Sequence, residues 1–438
     1  MLSRVAERVI AVTQPSLLGS LAMGTPRAVI DRVKNDAFRR VVRYAAAHSP
    51  FYRDKFASFG IDPLKVNVPA DLGNFYTTPA DIVERAEDFL CRRAHMVFES
   101  SGTTGRNKRV YFSHDELDRI GRFNAAGLFL GGVVPDDRIV NGFDFCIWIP
   151  GMVGLKTMEW SGLLGMAAGK VDPMEVYKRI PVYNFNIVMG EPTWLIKLTE
   201  IAEKDGAYPV KYFIGGAEQM QDAARPWIEK VWPGSKVRMV YASVESGGTI
   251  AFEPFDGCAT TYHIDENNFL VEIADPGPDG YGEVAFTTLF RRTMPLIRYR
   301  NRDVSKILEQ RCPCGLPYRR LARLRGRTDE MVVASGGNLY PLMFEEILKG
   351  IDGITSEWQI VLRLRGIKEV MEFHLEARGG RSGDAIKEDI FSGIRSLYHD
   401  LWKNLSIGVF EADFVYHEPG RVRTGRKLLR LVDKRHTE

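Results

Sequence analysis

At 438 residues with a formal net charge of +3, the chain is too long for one hydrophobic core, and its size suggests two or three domains. An apolar share of 45% with 26% charged residues is that of a globular protein and excludes a disordered or fibrous one. So small a charge gives no reason to expect a nucleic-acid partner, no apolar run is long enough to span a bilayer, and five cysteines, an odd number, argue against a disulfide framework. The first residues mix charges without an apolar core and small-residue cleavage site, so the expected compartment is the cytoplasm.

Val29, Ile30, Val33, Phe38, Val41, Val42 and Ala45 recur near helical spacing and predict a helix over 27–47. Thr77-Thr78-Pro79 opens a second helix over 76–90, with threonine as cap and proline in the first turn. Next come two strand-like runs, Met96-Val97-Phe98 and Val110-Tyr111-Phe112, around the loop Ser100-Ser101-Gly102-Thr103-Thr104-Gly105-Arg106-Asn107-Lys108-Arg109. Glycines let backbone N–H groups converge, hydroxyls add donors, and Arg106, Lys108 and Arg109 add charge. That is a cradle for a polyphosphate. A Walker loop is excluded, because Asn107 falls where that motif needs its glycine. A polar hairpin turn is the plainer alternative. Ser113 and Glu116 then have the spacing of a capping box for a helix over 114–130.

From about 138 to 290, short apolar runs beginning at Arg138–Val140 alternate with helical patterns, and Ile187–Gly190, Val210–Ile214 and Val237–Tyr241 lead into turns that precede helices. This predicts an α/β sheet with ligands at its strand ends. Residues 269–273 and 282–287 look antiparallel, as in a β-rich subdomain near 250–325. Past Gly326-Arg327-Thr328-Asp329-Glu330, helices near 341–351 and 386–402 and strands near 357–363, 370–376 and 407–416 suggest a compact α+β domain. The expected division is 1–326 and 327–438. Arginines and lysines crowd the end of the chain, as a solvated face, a nucleic-acid patch or an arm reaching an anionic substrate.

Taken in order, the loop at 100–105, Gly215-Gly216-Ala217-Glu218, Tyr241-Ala242-Ser243-Val244-Glu245, Tyr299-Arg300-Asn301-Arg302-Asp303, Gly326-Arg327-Thr328-Asp329 and a terminal glycine–lysine element resemble the adenylate-forming superfamily of acyl-CoA synthetases, luciferases and nonribosomal adenylation domains. Within it the chain looks most like phenylacetate–CoA ligase and its aryl-CoA ligase relatives. That likeness rests on Ser49-Pro50-Phe51-Tyr52-Arg53, Phe286-Thr287-Thr288-Leu289, Pro295-Leu296-Ile297-Arg298-Tyr299-Arg300 and Cys312-Pro313-Cys314-Gly315, and spans nearly the whole chain. It implies an α/β fold, with a large multi-subdomain N-terminal adenylation domain and a small mobile α+β C-terminal domain.

The resemblance also implies the partners: a carboxylic acid, ATP with Mg²⁺, and CoA, with no nucleic acid or membrane and a homodimer left open. Ser100, Ser101, Gly102, Thr103, Thr104 and Gly105 would grip the phosphates. Gly215, Gly216, Ala217 and Glu218 would let the nucleotide or acyl group lie against backbone. Tyr241, followed by Ala242 where relatives have glycine, would stack on adenine. Glu245 would hold Mg²⁺, Asp303 both ribose hydroxyls, and Arg327 would be a cation beside the nucleotide. Asp329 would be the hinge of the mobile domain, and Lys427 its catalytic cation, with Arg426 as rival because it follows Gly425 directly. Plainer readings make Tyr241 core, Glu245 a helix-start residue and Asp303 a salt-bridge partner of Arg300 or Arg302.

The acyl pocket is expected between 141–155 and 184–194, with Phe143, Trp148, Gly190, Glu191 and Gly215 among its residues. A buried acid at Glu191, where relatives carry a small or neutral residue, would favour an amino- or hydroxyl-bearing acid. Cys258, His263, Cys312 and Cys314 offer the donors of a closed structural Zn²⁺ site, against a reading as buried free thiols. The expected reaction is AMP-forming activation of an aromatic acid followed by thioester formation. Transfer to a carrier-protein thiol or an amine, or a nucleotide-binding protein without catalysis, are the alternatives.

Overall fold

The computed structural model describes residues 13–100, 107–218, 220, 224–255, 258, 261–328, 332–334, 337–365, 368–406, 410–423 and 428–435. Its contacts divide the chain into two compact units. The first runs up to Met220 and adds Ala224–Asn301 and Ser305–Arg323; the second takes Arg302–Val304 and everything from Leu324 onward.

The first predicted helix is Arg27–His48 and buries Ile30, Ala37, Phe38, Val41, Val42 and Ala45. Val29, expected on that stripe, is exposed, and the stripe instead carries Lys34, buried against Glu266. The second is Pro79–Arg85, shorter than expected because it tightens into a 3₁₀ turn over Ala86–Phe89. Its cap is reciprocal: Thr78 Oγ1 accepts from the Asp81 N–H at 3.3 Å, and Asp81 Oδ2 accepts from the Thr78 N–H at 2.8 Å.

Strands β1 (Met96–Ser100) and β2 (Lys108–Phe112) form an antiparallel hairpin in which Ser100 faces Lys108. The helix His114–Leu130 follows. Strands β3 (Arg138–Asn141), β4 (Leu164–Ala167), β5 (Ile187–Gly190), β6 (Tyr212–Gly215) and β7 (Lys236–Ala242) are parallel to one another. Helices Pro150–Ser161, Pro173–Tyr183, Pro192–Asp205 and Ala224–Val231 supply the crossovers that parallel pairing requires. Because successive side chains point to opposite faces, Val140, Val188, Phe213 and Val237 pack with Trp194, Leu198, Ile228 and Trp232 on one side. Ile139, Ile187, Met189 and Ile214 pack with Phe143 and Met158 on the other.

Downstream lie β8 (Thr249–Phe252), β9 (Tyr262–Ile264), β10 (Phe269–Ala274), β11 (Gly282–Thr288), β12 (Tyr299–Ser305), β13 (Ile307–Leu308) and β14 (Arg320–Leu321). The expected β-rich subdomain is thereby divided. β8, β9, β14 and β13 extend the main sheet with antiparallel pairing, giving the nine-stranded order β13-β14-β9-β8-β7-β6-β5-β3-β4. β10, β11 and β12 form a separate three-stranded sheet.

In the second unit, β15 (Val332–Ala334) and β16 (Gly337–Leu339) pair as a hairpin. Strands β17 (Ile354–Arg365), β18 (Lys368–Ala377), β19 (Phe410–His417) and β20 (Leu431–Asp433) form a sheet in the order β19-β18-β17-β20. Its buried face, Trp358, Ile360, Leu362, Met371, Phe373 and Leu375, packs against Ile386, Ile390 and Ile394. The helix expected over 386–402 is two, Gly383–Leu397 and His399–Ser406, because Tyr398 leaves helical geometry between them. Among the described residues, no helix is long and apolar enough to cross a membrane.

Candidate active site

The hairpin β1/β2 brings Ser100 and Lys108 to the turn that follows β7. Of the predicted phosphate loop, Ser101, Gly102, Thr103, Thr104 and Gly105 lie outside the described residues; Ser100 and Lys108 face each other across the hairpin. The turn after β7 is locked by its own hydroxyls. Ser243 Oγ accepts from the Ser246 N–H at 3.1 Å, and Ser246 Oγ accepts from the Ser243 N–H at 3.0 Å. Gly247 closes it at φ +74°, where a Cβ would stand 2.1 Å from the Phe112 ring. Only glycine lets the turn lie on β2.

This seats Glu245, 4% exposed, beneath the mouth of the hairpin. Lys108 Nζ is ion-paired to its Oε1, Tyr299 Oη donates to the same oxygen at 3.2 Å, and Ser100 Oγ lies 3.5 Å away. Burial pushes this carboxyl up, but the Lys108 charge and hydrogen bond outweigh it and hold the group below its ordinary value. The result is an ionised hard oxygen in a dry place, the donor that Mg²⁺ prefers.

Tyr241 is buried, with Asn301 Nδ2 donating to its hydroxyl and its ring 6.4 Å from that of Tyr262. Ala242, next along β7, is exposed. Gly215 and Gly216 are buried: a Cβ on them would stand 2.5 Å from Met239 Sδ and 2.8 Å from Val240 Cγ2. Ala217 takes a left-handed conformation at φ 68°, and Glu218 is exposed, accepting from the Thr193 N–H at 3.3 Å. In the second unit Asp303 and Arg327 are brought together as an antiparallel bridge, with Arg327 Nη1 3.3 Å from Asp303 Oδ1. Arg300 pairs elsewhere, with Glu283 and Asp275. Asp329, Arg426 and Lys427 lie outside the described residues. Within the basic C-terminal segment, Arg423 and Arg430 meet Glu357, and Arg435 meets Glu369 and Asp433.

Cys258, His263, Cys312 and Cys314 converge, their ligand atoms all within 4.8 Å of one another. Cys258 Sγ is 3.5 Å from Cys312 Sγ and 3.8 Å from His263 Nε2, and Cys314 Sγ is 3.3 Å from His263 Nε2. A tetrahedron with metal–sulfur bonds of about 2.3 Å has edges of about 3.8 Å, so the four donors already stand near its corners. The Tyr318 carbonyl, 3.3 Å from His263 Nδ1, can only accept, which puts the ring proton on Nδ1 and turns the Nε2 lone pair inward. Burial lowers the His263 pKa to about 4, which keeps the ring neutral.

Residues 336–435 match the AMP-binding enzyme C-terminal domain family. Over 426 residues the chain is 27% identical to a phenylacetate–coenzyme A ligase of Thermus thermophilus, covering 92% of this chain and 90% of that one. Its fold matches that of a 2-hydroxyisobutyryl-CoA ligase in the postadenylation state with a TM-score of 0.78, at 19% identity over 92% of this chain and 90% of that one. It also matches an O-succinylbenzoate coenzyme A synthetase of Bacillus subtilis, solved with ATP and a magnesium ion, with a TM-score of 0.54 at 16% identity over 76% and 68% of the two chains. The chain is an AMP-forming acid–thiol ligase, phenylacetate–coenzyme A ligase-like.

In this ligase the residues expected to line the acyl pocket separate into core and rim. Phe143 is buried, and a Cβ on Gly216 would stand 3.6 Å from its ring; Trp148 is half-buried, and Phe145 is exposed. Phe185 and Trp194 are core. The Trp194 ring lies where a side chain on Gly142 or Gly190 would go, and its indole N–H donates to Val171 O at 2.8 Å. Glu191 is buried as expected but not alone, since Lys170 Nζ is ion-paired to it. An incoming amino group would have to displace that lysine.

Several residues packed around the candidate site escaped the motif reading. Lys108 counted as one of three loop cations, yet it turns inward to Glu245. Arg291 is wholly buried, its Nη1 donating to Glu245 O at 2.8 Å and its Nη2 to Tyr111 O at 2.5 Å. Glu116 does more than cap its helix. Its Oε2 accepts from Ser113 N–H at 3.0 Å, while Oε1 accepts from Arg292 and Thr293 N–H at 2.6 and 2.8 Å. The only sequence signal for these partners was a charge inside an apolar or capping pattern.

Proposed function

We propose that this ligase activates an aryl or arylacetic acid as its adenylate and passes the acyl group to coenzyme A, with release of AMP and pyrophosphate. The observation that carries the reading is the meeting of Ser100, where the glycine–hydroxyl loop begins, with the buried carboxylate of Glu245. A phosphate cradle and a hard-metal ligand thus share one place. The substrate carboxylate is already a nucleophile and attacks the α-phosphate of ATP, so no general base is needed. The groups around Glu245 Oε1 fit that economy: a lysine and two hydroxyls. Mg²⁺ held by Glu245 would neutralise phosphate charge as pyrophosphate leaves. The aromatic assignment draws on the ligase of Thermus thermophilus and on Phe143 beside the bare backbone of Gly216.

In this reading residues 327–438 form the mobile domain, Asp329 is its hinge and Lys427 its catalytic cation, with Asp303 and Arg327 on the ribose and phosphate side of the nucleotide. Cys258, His263, Cys312 and Cys314 hold a structural Zn²⁺ that ties β9 to the chain before β14. With no open coordination position, it plays no part in the reaction.

The test is carboxylate-dependent exchange of labelled pyrophosphate into ATP across aromatic, amino-aromatic and short aliphatic acids, repeated with coenzyme A. Exchange with aromatic acids and AMP formation accelerated by coenzyme A are expected. AMP formation indifferent to coenzyme A would point to a carrier-protein or amine acceptor, and no exchange with any acid would defeat the proposal.

A further inference from the structure

We propose that Lys108 is a built-in counter-ion that bars Glu245 from taking a free divalent cation, so that metal enters this site only together with its nucleotide. The inference rests on the reading of Glu245 as the metal-binding carboxylate.

Lys108 is the first residue of β2 and faces Ser100 across the hairpin. Its ammonium is ion-paired to Glu245 Oε1, with side chains only 13% and 5% exposed. The same oxygen takes the Tyr299 hydroxyl at 3.2 Å and has Ser100 Oγ at 3.5 Å, so one oxygen is crowded with donors. A dication cannot approach it while the ammonium stays, because like charges repel strongly where water is scarce. Expelling the ammonium without a new anion would leave a half-dry positive charge unpaired.

A triphosphate removes that obstacle. Lys108 closes the very loop read as the phosphate cradle, and its flexible four-carbon stem lets the ammonium move from carboxylate to phosphate oxygen. The metal then takes the vacated carboxylate, and every charge is paired before and after the exchange. No bond is made or broken; only the partners change.

The probe is Mn²⁺ alone, titrated into the full-length protein without nucleotide and followed by electron paramagnetic resonance. Wild type should bind it weakly, Lys108→Met at least about tenfold more tightly, a factor worth 1.4 kcal/mol. Adding Glu245→Gln to that variant should abolish the gain. Lys108→Gln, which keeps a donor for Glu245, serves where the methionine form does not fold. Wild type binding Mn²⁺ as tightly as Lys108→Met, or a gain that survives Glu245→Gln, would overturn the proposal. With no gain in either lysine variant, the single Glu245→Gln change separates the two ideas. Loss of metal-dependent pyrophosphate exchange in it defeats the counter-ion role alone, and retention defeats the reading of Glu245 as well.

Discussion

Replacing Arg291 with methionine should loosen the hairpin β1/β2 from the turn that carries Glu245. The guanidinium is wholly buried and lies 4.1 Å over the Phe112 ring, bridging the carbonyls of Tyr111 and Glu245. Methionine fills most of the volume but leaves both carbonyls without these donors, at about 1–3 kcal/mol each. Loss of the cation–π contact adds up to about 2 kcal/mol. Against this stands the relief of no longer burying a charge, several kcal/mol in real proteins. Burial is also what lowers the Arg291 pKa to about 10. The Glu116 anion, the nearest counter-charge, keeps its three backbone donors and is not orphaned. The net expectation is a loss of about 2–4 kcal/mol, near the low end for breaking a buried charged network. Because the chain has two compact units, the assay should be local. Hydrogen exchange of peptides spanning 96–112 and 243–248 should accelerate, while peptides from β17 and β18 should not. Arg291→Lys, which can reach one carbonyl but not both, should fall between. Unchanged exchange in both peptides, or a stability change below about 0.5 kcal/mol, would refute the view that this arginine joins the hairpin β1/β2 to the turn that carries Glu245.

The protein as purified should carry about one zinc per chain, and Cys258→Ser should lose it and melt at lower temperature; absence of zinc in wild type, with melting unaffected by a chelator, would remove the site. Burial pushes the Glu116 carboxyl up, but the Arg291 charge and three backbone N–H donors outweigh it and leave the pKa below its ordinary value. A depressed folded-state pKa stabilises the protein above the unfolded value and ceases to as pH falls through the folded one. Acid unfolding below about pH 4 should therefore be shallower in Glu116→Gln, itself less stable at neutral pH; parallel acid limbs for the two proteins would contradict this.

How far the sequence could be read follows from the range of the forces involved. Caps are local: threonine at the start of the second helix and the pairing of Ser113 with Glu116 were legible because a cap and its partner lie within three residues. The parallel strands β3, β5 and β6 were legible too, since a strand buried on both faces must be apolar along its length, whereas the largely exposed β4 was not among the expected runs. The division of the β-rich stretch was not. Whether β8 and β9 extend the main sheet or join β10 is decided by pairing across the fold, which no local pattern announces.

The candidate site divides along the same line. The make-up of the loop pointed to Ser100, the family resemblance to Glu245, and the donor set of three thiols and an imidazole to the cysteines and His263 together. The cations that complete these arrangements gave no such signal. Lys108, Lys170 and Arg291 could each have been a solvated surface charge, and each is instead paired with a buried acid or carbonyl. A buried carboxylate at the end of an apolar strand cannot stand alone at this cost in desolvation. The presence of Glu245 and Glu191 in apolar surroundings was therefore the signal that a cation had to come from elsewhere in the chain. Only the fold could say which one, since Lys108 and Glu245 stand 137 positions apart in the chain and Lys170 and Glu191 just 21.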